Sequence, residues 1–116
     1  MDSINKRETG REYEQRAAVF LHGMGYKIIK QNYYCRYGEI DIIAEEGGYI
    51  IFVEVKYRKN GTKGSPEEAV NRIKRQHIRQ AALDFLVKNY GTEEVLCRFD
   101  IVAITGKQIH LVKDAF

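Results

Sequence analysis

The sequence predicts a single α/β domain, in which helices flank a mixed β-sheet and the elements follow in the order α-β-β-β-α-β-β. The chain has 116 residues, of which 44% are hydrophobic and 30% charged, as is typical of one globular domain over residues 1–116. Two segments repeat apolar residues at helical spacing, and five shorter runs have the composition of strands. A helix between the third and fourth strands can form the crossover that joins parallel strands, so the sheet is expected to be mixed.

Composition excludes several classes of protein. The longest apolar run, at residues 49–53, is too short to cross a bilayer, and residues 1–7 have no apolar stretch behind them that would make a signal peptide. Cys35 and Cys97 do not form a C-x-x-C pair and are expected to be buried thiols in a reducing compartment. We therefore expect a cytoplasmic protein that has no membrane partner.

The first helix is predicted over residues 11–24, because Tyr13, Ala17 and Leu21 recur on one face and Gly25 follows as a terminator. Glycines then punctuate a series of strand-like runs. The first three strands are predicted over residues 26–34, 39–44 and 49–57.

The second helix has a strong start signal after a loop expected at residues 60–64. Ser65 is a good N-cap, Pro66 suits the first helical position, and Glu68 completes a capping box. This helix is expected to reach about residue 89. The last two strands are predicted over residues 95–104 and 108–112.

Acidic residues concentrate in the second and third strands. If glycines 47–48 form a two-residue hairpin loop, Asp41 faces Glu54 and Glu39 faces Lys56. Directly opposed residues have Cβ atoms about 4.5–5.5 Å apart, so the two acids repel each other. Lys56 or a divalent metal would compensate, and hard oxygen ligands suit Mg²⁺ or Mn²⁺.

Strand alternation assigns the remaining faces. Ile40, Ile42 and Ala44 are expected together on one apolar face, opposite the acids. On the first helix, Glu14 lies about 20° beyond the apolar arc and could reach the sheet near Asp41. The alternative is an ordinary boundary glutamate in the first helical turn.

Positive charge concentrates in residues 54–80, which carry eight Lys and Arg against three Asp and Glu. Arg72, Arg75 and Arg79 form one helical stripe, which predicts either phosphate contacts or a solvated face. Lys74 lies off this stripe and is expected to pack its stem along apolar surface, toward the acidic strands.

Two further groups have structural and functional interpretations. Residues 33–37 interleave tyrosines with Arg36 and could stack on unpaired bases, or form core and rim. Arg98 and Asp100 share a strand face and are expected to be a surface ion pair.

Several segments resemble the bacterial YraN-like family, over nearly the whole chain and in the same order. That family is similar to the PD-(D/E)XK nucleases, nearest to archaeal Holliday-junction resolvases. The resemblance implies a restriction-endonuclease-like fold. The segments that carry it are Gly10-x-x-x-Glu14-x-x-Ala17, Gly25-Tyr26, Gly38-Glu39-Ile40-Asp41-Ile42-Ile43, Phe52-Val53-Glu54-Val55-Lys56-Tyr57-Arg58 and Arg98-Phe99-Asp100.

The resemblance also implies roles for individual residues. Asp41 matches the metal-binding aspartate, Glu54 the second acid, Lys56 the motif lysine and Glu14 the glutamate of the first helix. Asp41, Glu54 and the Val55 carbonyl would hold the ion. Lys56 would orient water or stabilise charge on the phosphate. The motif's proline is replaced by Ile40, a common departure.

Glu39 has two interpretations: it either holds Lys56 in place or forms a plain cross-strand ion pair. Arg58 and the helical arginines are expected to contact nucleic acid. The leading hypothesis is a metal-dependent DNA endonuclease, selective for branched DNA or non-specific, and dimeric by analogy with resolvases. The alternatives are a non-catalytic nucleic-acid-binding module with a relic acidic site, and a structural interaction protein.

Overall fold

A computed structural model describes residues 6–60 and 63–116. Residues 1–5 of the N-terminal segment and residues 61–62 of the predicted loop lie outside the described residues. In chain order the elements are α1 (Lys6–Gly23), β1 (Lys27–Cys35), β2 (Gly38–Glu46), β3 (Tyr49–Tyr57), a 3₁₀ helix (Glu67–Ala69), α2 (Arg72–Tyr90), β4 (Cys97–Thr105) and β5 (Gln108–Val112). Within the described ranges, no helix is long and apolar enough to cross a membrane.

The five strands form one sheet in the order β1-β2-β3-β4-β5. Neighbouring strands are antiparallel except β3 and β4, which are parallel and joined through α2. The predicted fold class, element order and crossover are therefore confirmed.

The sheet separates two apolar cores, one under each helix. Ala17, Ala18 and Leu21 of α1 pack on one face of the sheet, while Ile78, Phe85 and neighbouring residues of α2 pack on the other. The central strand β3 contributes Ile51 and Val53 to the α1 side, and Ile50 and Phe52 to the α2 side. Because both faces of β3 are covered, the strand is held firmly in place, and so are the site residues Glu54 and Lys56 in its second half.

The β2–β3 hairpin has the predicted register. Ladder pairs extend from Glu46 and Tyr49 to Ile42 and Val53. Gly47 and Gly48 have φ angles of 61° and 84°, a left-handed conformation that two-residue hairpin loops favour. The turn therefore fixes which residues of the two strands can meet.

The predicted faces of β2 are only partly correct. Ile42 and Ala44 pack on the α1 side as a pair, but Ile40 packs on the α2 side. The reversal occurs at Asp41. The β1 residue opposite it in the register, Asn32, has a φ of 56°, so regular strand geometry is interrupted there.

The predicted start of the second helix is six residues too early, because the observed N-cap is Asn71 and not Ser65. The capping box forms, since the Ser65 amide donates to Glu68 Oε1 at 2.8 Å, but it caps only the 3₁₀ helix. Val70 then turns extended, with φ −105° and ψ 96°, and its side chain is buried. Asn71 caps α2 instead, accepting a hydrogen bond from the Lys74 amide at 2.9 Å. Burial of Val70 thus separates two helical segments that the pattern predicts as one.

Candidate functional site

The candidate site lies at a fork between β2 and β3. The ladder between these strands ends at Ile42 and Val53. Just beyond it, Asp41 Oδ2 accepts a hydrogen bond from the Val55 amide at 2.8 Å. A side chain therefore takes the place of a backbone partner, and the acidic residues gather where the strands part.

Three carboxylates converge at this fork. One oxygen from each of Glu14, Glu39 and Asp41 lies within 4.8 Å of the others, and all three residues are half-buried. Tyr13, next to Glu14 in α1, stacks on Tyr57 at the end of β3 with ring centroids 4.3 Å apart. This stack holds α1 against the end of β3 at Tyr13, and the adjacent Glu14 reaches the sheet near Asp41 as the helical wheel predicts.

The convergence makes the carboxylates resist ionisation. Burial raises the pKa of Asp41 well above its ordinary value, and the neighbouring charges of Glu54 and Glu14 raise it further. The hydrogen bond from Val55 opposes that increase. Burial and the charge of Glu39 likewise raise the pKa of Glu14, against a hydrogen bond from Asn32. Such a cluster is stabilised by a proton or a cation.

Glu54 links the cluster to two lysines. Its side chain is 5% exposed, and its Oε2 lies 3.7 Å from Lys56 Nζ and 3.6 Å from Lys74 Nζ. Lys56 arrives from the same strand, whereas Lys74 reaches across from the first turn of α2. Two ammonium groups are thereby held at the edge of the carboxylates.

Glu39 and Lys74 differ most from the sequence interpretation. Within the described ranges, Lys56 pairs with Glu54, while Glu39 lies with Glu14 and Asp41 instead of facing Lys56. The Lys74 side chain extends toward the site as predicted, and its ammonium enters the charge network 3.6 Å from Glu54 Oε2, while packing of its stem along apolar surface stays a prediction. The sequence pattern gives no signal for this contact, because it begins the helix at Ser65 and not at the Asn71 cap.

The arginines predicted to bind nucleic acid have different surroundings. Arg58 Nη2 donates to the Lys63 and Gly64 carbonyls. Arg75 donates to the Val70 and Glu67 carbonyls at 2.7 and 2.6 Å, which ties the 3₁₀ helix to α2.

The other two arginines of the stripe are exposed. Arg79 lies over the Phe99 and Phe116 rings at 5.9 and 5.5 Å, and Arg72 projects from the first turn of α2. Nucleic-acid contact by the stripe stays a prediction.

The ion pair of Arg98 and Asp100 forms, but its predicted surface position is wrong. Asp100 is fully buried and accepts hydrogen bonds from Arg98 Nε and the Tyr26 hydroxyl, both at 2.9 Å. Glu46 meets the same arginine at 3.3 Å. Burial and the bond to Asp100 raise the pKa of Tyr26. This network fastens β4 to the segment between α1 and β1 and is structural.

The remaining predicted candidates are two tyrosines of β1 and the two cysteines. Tyr33 packs edge-on against Phe85 and donates its hydroxyl to Asp84, as a rim residue does. Tyr34 is 70% exposed, so base stacking there stays a prediction. Cys35 and Cys97 are free thiols but only half-buried.

Comparison with known proteins gives consistent matches. A sequence profile described as "Uncharacterised protein family UPF0102" matches residues 13–104. A UPF0102 protein of Lachnoclostridium phytofermentans is 47% identical over 113 residues, covering 97% of this chain and 96% of the relative. One from Caldicellulosiruptor saccharolyticus is 40% identical, with 97% and 100% covered, and one from Photobacterium profundum is 45% identical, with 89% and 83% covered. The profile spans the fork, both lysines and the crossover helix.

Proposed function

The chain belongs to the uncharacterised protein family UPF0102, and from the chemistry of its site we propose that it is a metal-dependent DNA endonuclease that hydrolyses phosphodiester bonds. Membership confirms the YraN-like resemblance seen in the motifs. The observation that carries the proposal is the convergence of Glu14, Glu39 and Asp41 beside a buried glutamate that holds two lysines.

The donor set suits a hard divalent cation. Carboxylate oxygens are the ligands that Mg²⁺ and Mn²⁺ prefer, and three of them lie within 4.8 Å of one another. Glu14, Glu39 and Asp41 would hold the ion, with Glu54 and the Val55 carbonyl as the further ligands that the motif implies. When bound, such an ion polarises a phosphate and lowers the pKa of a coordinated water.

The lysines supply positive charge next to the carboxylates. Glu54 holds the Lys56 and Lys74 ammonium groups by ion pairs, so neither needs to reorganise when a phosphate arrives. A positioned cation is worth most where negative charge develops during the reaction. Lys56 would act on the reacting phosphate or water, and Lys74 would stabilise the phosphate from the α2 side.

DNA is the proposed substrate because the site is flanked by the basic segment of residues 54–80. A preference for branched DNA and a homodimeric state remain proposals drawn from the resemblance to resolvases. Both are open to direct measurement.

A cleavage panel tests the proposed function. Wild type, Asp41→Asn and the control Glu45→Gln, an exposed acid of the same strand, are incubated with linear, flapped, single-stranded and four-way-junction DNA in Mg²⁺ or Mn²⁺. We expect wild type and the control to cut at least one substrate, and Asp41→Asn to cut none.

Two outcomes contradict the proposal. Equal cutting by Asp41→Asn would place the activity elsewhere. If wild type binds DNA but cuts none of the substrates, the non-catalytic binding module replaces the nuclease.

A further inference from the structure

A pocket of about 440 Å³ adjoins the acidic fork at the end of β3. Its walls carry the cationic side chains of Lys56, Arg58, Lys59 and Lys63, and one carboxylate, Glu68. Lys56 belongs both to this pocket and to the network around Glu54. The pocket therefore opens directly beside the candidate site, and we name it the basic pocket.

Specific contacts build the basic pocket. The Arg58 amide donates to the Ile104 carbonyl of β4 at 2.8 Å, which fixes the backbone of the arginine just after the end of β3. Its Nη2 donates to the Lys63 and Gly64 carbonyls at 3.1 and 2.5 Å, which holds these two residues close to Arg58. An arginine side chain has five N–H donors, more than these two bonds use.

The single carboxylate in the pocket is already satisfied. Glu68 accepts hydrogen bonds from the Ser65 amide at 2.8 Å and the Ser65 hydroxyl at 3.2 Å, and these bonds lower its pKa. Gly64 keeps the loop close to it: its φ is 88°, and a Cβ at this position would lie 3.3 Å from Glu68 Oε1. Four cationic groups and one carboxylate thus line the cavity, and the carboxylate is hydrogen-bonded to Ser65.

We propose that the basic pocket binds a backbone phosphate of DNA, next to the phosphodiester held at the carboxylates. This inference rests on the proposed function and adds the path of the strand: from the fork, past Lys56, to Lys59 and Lys63. Lysine and arginine side chains are the usual partners of backbone phosphates, and they fix the position of the nucleic acid without reading its sequence. Arg75 is less suited to this task, because it does not line the pocket and its Nε and Nη2 donate to the Val70 and Glu67 carbonyls.

The test is binding of a short fluorescein-labelled duplex, measured by anisotropy in EDTA over a range of salt concentrations. The variant pair is Lys59→Ala with Lys63→Ala. The control pair removes the same charge away from the pocket: Lys27→Ala at the start of β1 with Lys88→Ala in the last turn of α2. Thermal unfolding of all the proteins checks that the fold is kept.

We expect the pocket variant to bind more weakly and to flatten the slope of log affinity against log salt by about 0.9 for one lost duplex phosphate contact. The control should keep the wild-type slope. An unchanged slope in the pocket variant, or a wild type that does not bind DNA, overturns the proposal. If the variant loses binding only to inorganic phosphate, titrated separately, the pocket serves a free anion and the DNA proposal is also overturned.

Because EDTA prevents metal-dependent cleavage, this result is independent of hydrolysis. If wild type cuts DNA but the pocket variant and the control variant bind DNA equally well, the proposal for the basic pocket fails and the nuclease proposal stands. If the pocket variant has the flatter salt dependence of DNA binding but wild type cuts no DNA, the proposal for the basic pocket stands and the nuclease proposal fails.

Discussion

The Asp41 carboxylate accepts a hydrogen bond from the Val55 amide at the point where the β2–β3 ladder ends. It also lies among acids, so burial and the charges of Glu54 and Glu14 raise its pKa. The Asp41 side chain therefore caps the end of the β2–β3 ladder, while its negative charge destabilises the metal-free fold. Both effects can be separated by replacing the charge and keeping the acceptor.

Asp41→Asn should stabilise the metal-free fold at neutral pH, because an amide oxygen still accepts from Val55 while the charge is gone. A folded-state pKa above the unfolded value of about 4 means that wild type loses stability as pH rises through the raised pKa. The increase in unfolding free energy of the variant over wild type should therefore be absent at pH about 4 and grow toward pH about 8. Urea unfolding in EDTA at both values measures it.

Glu45→Gln is the control for this comparison, since Glu45 is exposed on the same strand. Its stability difference from wild type should stay small at both pH values. A large loss of stability in Asp41→Asn at neutral pH would instead show that the Asp41 charge is a structural partner of a cation.

Lys56→Ala should reduce cleavage by about 10²–10³, the usual effect of removing one positioned group that stabilises developing charge. Lys74→Ala should change the rate in the same direction, because its ammonium approaches Glu54 as closely as that of Lys56 does. Single-turnover cleavage gives the rate, and anisotropy gives DNA affinity, which should fall far less. Lys88→Ala is the matched control in the last turn of α2. Wild-type rates in both site variants would exclude the lysines from the reaction.

The sequence predicts residue positions well where one element decides them. The wheel of the first helix places Glu14 at the fork, and the hairpin loop sets the register that brings Asp41 toward Glu54. Glu39 and Lys74 depend on more than one element. The position of Glu39 follows from the irregular backbone at Asn32, and that of Lys74 from where α2 begins and how it packs on the sheet.

At the scale of elements, the start of α2 shows how burial overrides a local signal. The Ser65 capping box is satisfied, yet the helix it begins ends at Ala69 because Val70 turns into the core. Arg75 then bridges the gap, with Nε on the Val70 carbonyl and Nη2 on the Glu67 carbonyl. This arginine is predicted from the sequence as part of a nucleic-acid stripe, but its contacts assign it a structural task.

Arg75→Lys separates charge from these contacts. Lysine keeps the positive charge but cannot reproduce the forked pair of hydrogen bonds, each of which contributes about 1.5–3 kcal/mol when the donor is charged. We expect a loss of unfolding free energy of about that size, with an unchanged salt dependence of DNA binding. Arg72→Lys, at an exposed position of the same helix, should leave both unchanged. Equal stability of Arg75→Lys and wild type would contradict the structural role.

For the whole molecule, the order of elements and the mixed sheet follow from features written locally in the chain. Paired glycines set the hairpin, and the long segment between β3 and β4 requires a crossover. Long-range partners are different, because no local pattern encodes them. Asp100 looks like a surface acid in the sequence, but Tyr26, 74 residues away, and Arg98 enclose it. Phe116 stacks on Phe99 and completes the core under α2, which periodicity does not reveal.

The central claim is that the fork binds a divalent cation, and calorimetric titration of the metal-free protein with Mn²⁺ tests it most directly. Wild type should bind Mn²⁺ without DNA, and the double variant Asp41→Asn with Glu54→Gln should not. A control that removes two exposed acids, Glu45→Gln with Glu93→Gln, should bind as wild type does. If wild type takes up no Mn²⁺, or if the site variant binds it unchanged, the carboxylates at the fork are not a metal site.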